Sequence, residues 1–383
     1  MGFRPFFLAA GVWAALALTI WIVVFLTAST LPSRFDPLIW HIHAMLFGFV
    51  LAAAAGFLLT AIPTWTGRQP VRGPFLVGLV GLWLLGRIVC LVSAVLPVWP
   101  AAAVDLAFPF VLSALAAREI ISVRNWRNLM IPIPIGVLGI ADLLMYLELG
   151  GIRAPPGLGW RLALAAVIVL ISAIGGRIIP VFTRNWLLQR GASALPREHG
   201  PIDQTALATL HAGLVGWAFL PESKGVGAVL IVAAALNVWR LGGWRGWMTA
   251  SEPLLAILHL GYAWVAFGAA LLGASLLSDA IPQAAALHAL TAGAIGTMVL
   301  AVMTRVARGH TGRALEADGP TTLVYAAITL AGVARVAAAF ANSASTALLG
   351  ASAAFWLMAF LLFVATHGPM LVSPRFDAEK RFA

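Results

Sequence analysis

The sequence predicts an all-α protein that crosses a membrane about twelve times. Three observations carry that reading. Of 383 residues, 61% are hydrophobic and only 10% charged, with a mean hydropathy of +0.96. That balance excludes a soluble globular domain. Apolar runs of about 18–25 residues recur along the chain, each long enough to cross roughly 30 Å of hydrocarbon. The connections between runs are short, so neighbouring helices are expected to be antiparallel. Residues 1–383 are therefore read as a single polytopic membrane domain.

The first span, 6–29, follows Arg4-Pro5 directly and is long enough to be a helix rather than a cleaved leader. The second, 38–62, is entered through Trp40-His41-Ile42-His43-Ala44-Met45 and left at Thr64-Trp65-Thr66-Gly67-Arg68. The third, 74–97, carries Arg87 and Cys90, and the fourth, 101–121, carries Asp105. The fifth, 129–148, holds the helix breakers Pro132 and Pro134 and also Asp142. The sixth, 160–181, contains Pro180, and the longest loop, Arg184–Pro201, follows it and joins the two halves. The seventh to ninth, 203–221, 224–241 and 252–277, hold His211 and His259. The tenth, 281–304, holds His288; the eleventh, 319–341, holds Arg335; the twelfth, 345–369, ends near His367.

Orientation follows from the cations. Of 24 Lys and Arg, eighteen fall at the N-terminus, in even-numbered loops or in the C-terminal tail (including Lys380 and Arg381), and four in odd-numbered loops. By the positive-inside rule both termini are cytoplasmic. The formal charge of +10 thus reads as membrane orientation, and nucleic-acid binding is excluded. The one cysteine, Cys90, rules out an internal disulfide or a thiolate cluster and reads as a small core hydrophobe. The tryptophans read mostly as an interfacial belt, notably Trp99, Trp126, Trp160 and Trp244.

The chain repeats itself. His288 stands 245 positions after His43, and Thr311-Gly312-Arg313 stands 245 after Thr66-Gly67-Arg68. Ala173-Ile174-Gly175 with Thr183-Arg184 matches Ala294-Ile295-Gly296 with Thr304-Arg305 at an offset of 121. Helices two, six and ten are then equivalent. The expected architecture is three four-helix units, approximately 1–121, 122–248 and 249–383, about a pseudo-threefold axis.

Eight histidines are available for chemistry. A bilayer is a costly place for an imidazole, which marks those inside spans as functional candidates. His41 and His43 lie roughly 200° apart on a helix, so they serve two neighbours rather than one ion. His43 and His288 hold equivalent positions, which suits a heme clamped between helices two and ten, with His41 as the alternative ligand. No Cys-x-x-Cys-His occurs, so a covalently attached heme is excluded and heme b is expected. His41, His211, His259 and His310 (the last read as a loop residue) are the candidates for a second metal, copper. Met45, Met298 and Met303 read as core filler, and His199 as a solvated loop residue. Arg87, Arg335, Asp105 and Asp142 are charges inside the bilayer. They bind heme propionates, feed protons or pair with one another, and the sequence leaves those roles open. Phosphate loops, dinucleotide fingerprints, His-Glu-x-x-His and nucleophile elbows are absent, and no catalytic residue is assigned.

Longer stretches then become recognisable. Gly2-Phe3-Arg4-Pro5-Phe6-Phe7, Trp40-His41-Ile42-His43-Ala44-Met45, Gly176-Arg177-Ile178-Ile179-Pro180-Val181-Phe182-Thr183-Arg184-Asn185, His259-Leu260-Gly261-Tyr262 and Gly309-His310-Thr311-Gly312-Arg313 resemble the NnrS family nearly end to end. The resemblance implies a bacterial inner-membrane protein with heme and copper, tied to nitric oxide metabolism or resistance. Family members often carry a carboxylate after the second histidine, where this chain has Ala44, so a proton relay through that acid is not expected. A looser likeness of topology is to heme–copper oxidases and nitric oxide reductases, which also place heme histidines on helices two and ten. This chain lacks their histidine pair on helix seven and their copper ligand on helix six.

The leading expectation is a nitric-oxide-handling oxidoreductase that takes electrons from a quinol or a redox protein. Two other classes stay open. One is a transporter or channel for a metal or nitrogen oxide, which the repeats, prolines and buried charges suit. The other is a non-catalytic heme sensor or metal-delivery protein.

Overall fold

The computed structural model describes residues 1–376, and every regular element among them is helical. Lys380 and Arg381, assigned above to the cytoplasmic side, lie outside the described residues. Twelve long helices run in the predicted order. They are α1 Phe3–Thr27, α2 Pro37–Thr66, α3 Gly73–Leu91, α4 Val98–Ser122, α5 Pro132–Leu149, α6 Leu158–Leu188, α7 Pro201–Phe219, α8 Lys224–Gly242, α9 Pro253–Leu277, α10 Gln283–His310, α11 Gly319–Phe340 and α12 Ser345–Val372.

Eleven of these are long and apolar enough to cross a membrane, and α7 is the one that is not. Asp203, Gln204, Thr205, Thr209 and His211 dilute its first half. Three helix ends differ most from the sequence reading, the first being α3, which stops at Leu91 rather than 97. α6 continues to Leu188, which shortens the loop expected from Arg184, and α10 continues to His310, which closes a helix instead of sitting in a loop. The aromatic belt also needs one correction. Trp99 and Trp126 are exposed, but Trp244 is 2% exposed and packs edge-on against Tyr262 and beneath the Arg240 guanidinium.

The ends of α2 explain part of the repeat. The helix starts where Asp36 accepts a hydrogen bond from Leu38 N at 3.0 Å and Pro37 takes the first turn, where its missing N–H costs nothing. It stops at Gly67, whose φ of +69° only glycine adopts freely and whose N–H returns to Pro63 O at 2.9 Å. α10 is also followed by a glycine of positive φ, Gly312 at +80°, whose N–H returns to Gly309 O at 3.3 Å. Thr66 and Thr311 each return a hydroxyl to the carbonyl four residues back, at 2.8 and 2.6 Å. The repeated Thr-Gly-Arg is thus a helix stop.

A second shared feature lies inside the same two helices. Ala44–Val50 in α2 and Ala289–Ile295 in α10 are wound as π-helix, and they begin directly after His43 and His288. The two stretches stand 245 positions apart. Such winding is rare and gathers at functional sites. α6, the third expected equivalent, is α-helical throughout. In α2 the widened turn is braced by two indoles: Trp13 Nε1 donates to Ala44 O at 2.9 Å and Trp83 Nε1 to Gly48 O at 3.1 Å. A Cβ at Gly48 would run into the Trp13 ring, and one at Gly293, the matching position, would fall 2.6 Å from Trp264. Gly48→Ala is expected to destabilise the protein by about 1–3 kcal/mol through overpacking. Thermal unfolding in detergent checks this, and an unchanged midpoint would mean that the indole has room to move.

The chain divides into two compact units. One comprises Met1–Val167, Val306–Gly312 and the chain from Val364 onward, and the other comprises Ile168–Arg305 and Arg313–Phe363. The first has an aromatic centre of fully buried Phe3, Phe6, Phe7 and Phe47. In the second, α8 packs against α7 and α9. There Gly227 and Gly273 bring α8 and α9 together so closely that a Cβ on either would lie within 2.9 Å of the other's carbonyl oxygen.

Candidate functional site

Four consecutive helices of the first unit each send one polar side chain to the same place. α2 supplies His43, α3 supplies Cys90, α4 supplies Asp105 and α5 supplies Asp142, and none is more than 2% exposed. His43 Nε2 lies 2.9 Å from Asp142 Oδ1 and 3.3 Å from Asp105 Oδ2. Its other nitrogen, Nδ1, lies 3.3 Å from Cys90 Sγ. Arg87, one turn before Cys90 on α3, makes an ion pair with Asp105 Oδ1. Tyr146, one turn after Asp142 on α5, donates its hydroxyl to Asp105 Oδ2 at 3.1 Å.

Aromatic rings close the box. Phe35 stacks on the His43 ring at 5.2 Å and Phe47 lies against it at 4.9 Å. Three polar atoms within the box have no hydrogen-bond partner among the described residues: Asp142 Oδ2, Arg87 Nε and Arg87 Nη1. In such surroundings charges interact strongly and must be balanced locally.

The remaining predicted residues take separate places. His41, two residues from His43, stacks on Trp21 of α1 at 4.9 Å and 15°. His288, in the second unit, holds Ala284 O with its Nδ1 at 2.7 Å. Its Nδ1 therefore carries the proton, and its Nε2 presents a lone pair. Arg335 is half-buried in α11, within electrostatic reach of His288, and forms no ion pair among the described residues. His211 Nε2 meets Ser172 Oγ at 2.9 Å, and His259 Nε2 meets Thr183 Oγ1 at 2.9 Å. His259 Nδ1 is buried with no partner. His310 packs against Phe3 at 5.6 Å, and His367 Nδ1 meets Thr366 Oγ1 at 2.8 Å. Among the described residues, the group of three His, Cys or carboxylate donors that converges is His43, Cys90 and Asp105. Of the two roles left open for Arg87, the structure gives it the ion pair.

The second unit holds a polar network that the sequence reading missed. Arg240 Nε donates to Asp203 Oδ1 at 3.0 Å, and Arg240 Nη1 donates to the Tyr262 hydroxyl at 2.5 Å. Tyr262 passes its own proton to Asn237 Oδ1 at 2.7 Å. Asn237 closes the chain on Ala206 O and Ala233 O at 3.0 and 2.8 Å. The Tyr262 hydroxyl and both Asn237 amide hydrogens are engaged, so the network ties α7, α8 and α9 together. Tyr262→Phe is expected to cost about 1–3 kcal/mol by stranding both neighbours. A thermal shift of that order in detergent checks it, and no shift would place the network's strength elsewhere.

Fold and site together define an all-α, multi-pass membrane protein with a buried charged cluster and histidine-marked π turns in its spans. The chain belongs to the NnrS family: the family model described as NnrS protein matches residues 1–375. Membership makes it a nitric oxide-related membrane protein. No curated protein matches the chain.

Proposed function

We propose that the chain is a heme-binding protein of the bacterial inner membrane that handles nitric oxide, with both termini cytoplasmic and copper as a second metal. The observation that carries this reading is the state of His288. Its Nδ1–H is committed to a backbone carbonyl, and its Nε2 lone pair is available, which is how a metal-ligating imidazole is held. The adjoining π turn sets this histidine apart from one in an ordinary span.

The residues present fit a heme. His288 would hold the iron and Ala284 O would fix its tautomer. Arg335 supplies a cation for propionate carboxylates in the same unit. His43 and His41 were the expected second ligands. His43 has its nitrogens turned to the Asp142 carboxylate and the Cys90 thiol of its own unit, which places it in the polar box. For copper, the buried and unpartnered Nδ1 of His259 offers an imidazole donor, with His211, His310 and His41 as further candidates. When bound, heme iron supplies nitric oxide coordination and one-electron chemistry. Reduction of two NO by two electrons and two protons gives nitrous oxide and water. The electrons would come from a quinol or another redox protein.

The test is a reduced-minus-oxidised spectrum of the detergent-purified protein, with and without NO, beside iron and copper analysis. A b-type spectrum that shifts with NO is expected. A colourless protein that takes up no heme would overturn the reading and favour transport, for which the prolines inside α2, α4, α6 and α12 supply hinges. NO turnover with an added reductant then separates an enzyme from a sensor.

A further inference from the structure

We propose that His43, Cys90 and Asp105, with the Asp142 carboxylate beside them, form a buried site for one transition-metal dication of intermediate softness. The site is derived from its own donors and does not depend on heme binding elsewhere in the chain.

Convergence is the first argument. Three neighbouring helices contribute one donor each, which is how metal centres are built in helical bundles. One donor atom from each of His43, Cys90 and Asp105 lies within 4.8 Å of the others, and Asp142 Oδ1 is 2.9 Å from His43 Nε2. Metal bonds of about 2.0–2.3 Å would draw these donors inward.

The second argument is an unpartnered atom. Asp142 is wholly buried, and its Oδ2 accepts no hydrogen bond, although its twin Oδ1 is engaged by His43. A carboxylate oxygen left so in a low-dielectric interior calls for a cation. Arg87 does not answer it, because that guanidinium makes its ion pair with Asp105.

Charge is the third. Ligation takes cysteine as thiolate and histidine as neutral imidazole, so Cys90, Asp105, Asp142 and Arg87 in the ligated box carry a net charge of −2 before the ion is counted. A dication makes the box neutral, and in the interior neutrality decides which occupant is tolerated.

Ligand type then narrows the ion. Magnesium and calcium take oxygen donors and are disfavoured by a thiolate. Thiolate, imidazole and carboxylate together suit zinc, and they suit copper too. Around the donors stands the support a metal site needs. Arg87 and Tyr146 orient Asp105, and Phe35 and Phe47 exclude water from His43.

The test uses the full-length protein in detergent, stripped with a chelator, loaded with Zn2+ alone and washed. Elemental analysis is expected to give one zinc per chain. X-ray absorption at the zinc edge, which heme iron does not disturb, is expected to show one sulfur neighbour at about 2.3 Å. The chain has one cysteine, so Cys90→Ser should remove that sulfur. Tyr146→Phe should weaken retention roughly tenfold while keeping the sulfur signal, an effect typical of outer-shell partners. Zinc found in the protein before stripping, with the same sulfur neighbour, supports the site. Wild-type protein that retains no zinc overturns the proposal, and so does a sulfur signal that survives in a folded Cys90→Ser. If Cys90→Ser does not fold, His43→Gln decides instead: undiminished zinc binding in that variant overturns the site.

Discussion

Arg87→Met is expected to lose about 3–5 kcal/mol of stability, the cost of leaving a buried charge without its partner. Arg87 is 2% exposed, and Asp105, its partner, is wholly buried. The methionine fills much of the same volume, so the loss would be electrostatic rather than a cavity. Asp105 would retain only the Tyr146 hydroxyl and the His43 ring as partners, with Asp142 close behind the same imidazole. Two carboxylates would then share one imidazole. A double variant, Arg87→Met with Asp105→Asn, is expected to recover at least about half of the loss, because it removes both members of the pair. Thermal unfolding in detergent of the wild type, Arg87→Met, Asp105→Asn and the double variant gives the coupling directly. A single variant as stable as wild type would mean that the guanidinium is not the counter-charge of the box.

The twelve helices were legible because run length is a physical requirement of the bilayer, and their order and ends follow the predicted spans closely. The doubled Thr-Gly-Arg was legible as a repeat but not as a helix stop, since only the positive φ of Gly67 and Gly312 shows why glycine recurs there. The π turns left no mark in composition. Ala44–Val50 reads as any apolar segment, and what distinguishes it is a pair of indoles from α1 and α3. Cys90 reads as a core residue and is buried as expected, but its place beside His43 has no local signature in an apolar run. The available hint was spacing: Arg87 and Cys90 lie three apart on one helix face, and Asp142 and Tyr146 four apart on another. Arg240 was counted among the cytoplasmic loop cations, yet it is 1% exposed. Its partners come from α7 and α9, and no local window contains them.

His288→Ala is expected to lower bound heme at least about tenfold while leaving the fold intact, since even outer-shell partners of a metal act on that scale. The separation of the two effects rests on how little else His288 does. Its one hydrogen bond among the described residues is to Ala284, a turn back in its own helix, worth about 0.5–1.5 kcal/mol. Alanine is also the best helix former, so the backbone loses nothing. The unfolding midpoint should therefore shift slightly while the heme absorbance falls. Added imidazole should restore part of the spectrum, because a free ring can occupy the space the side chain left, and a purely structural role would not respond to it. His199→Ala, in the loop before α7, serves as the control and should change neither reading. Undiminished heme in a folded His288→Ala would exclude this histidine as the ligand. The search would then move to His41, His211 and His259, whose rings belong to other helices and would need to rotate away from Trp21, Ser172 and Thr183.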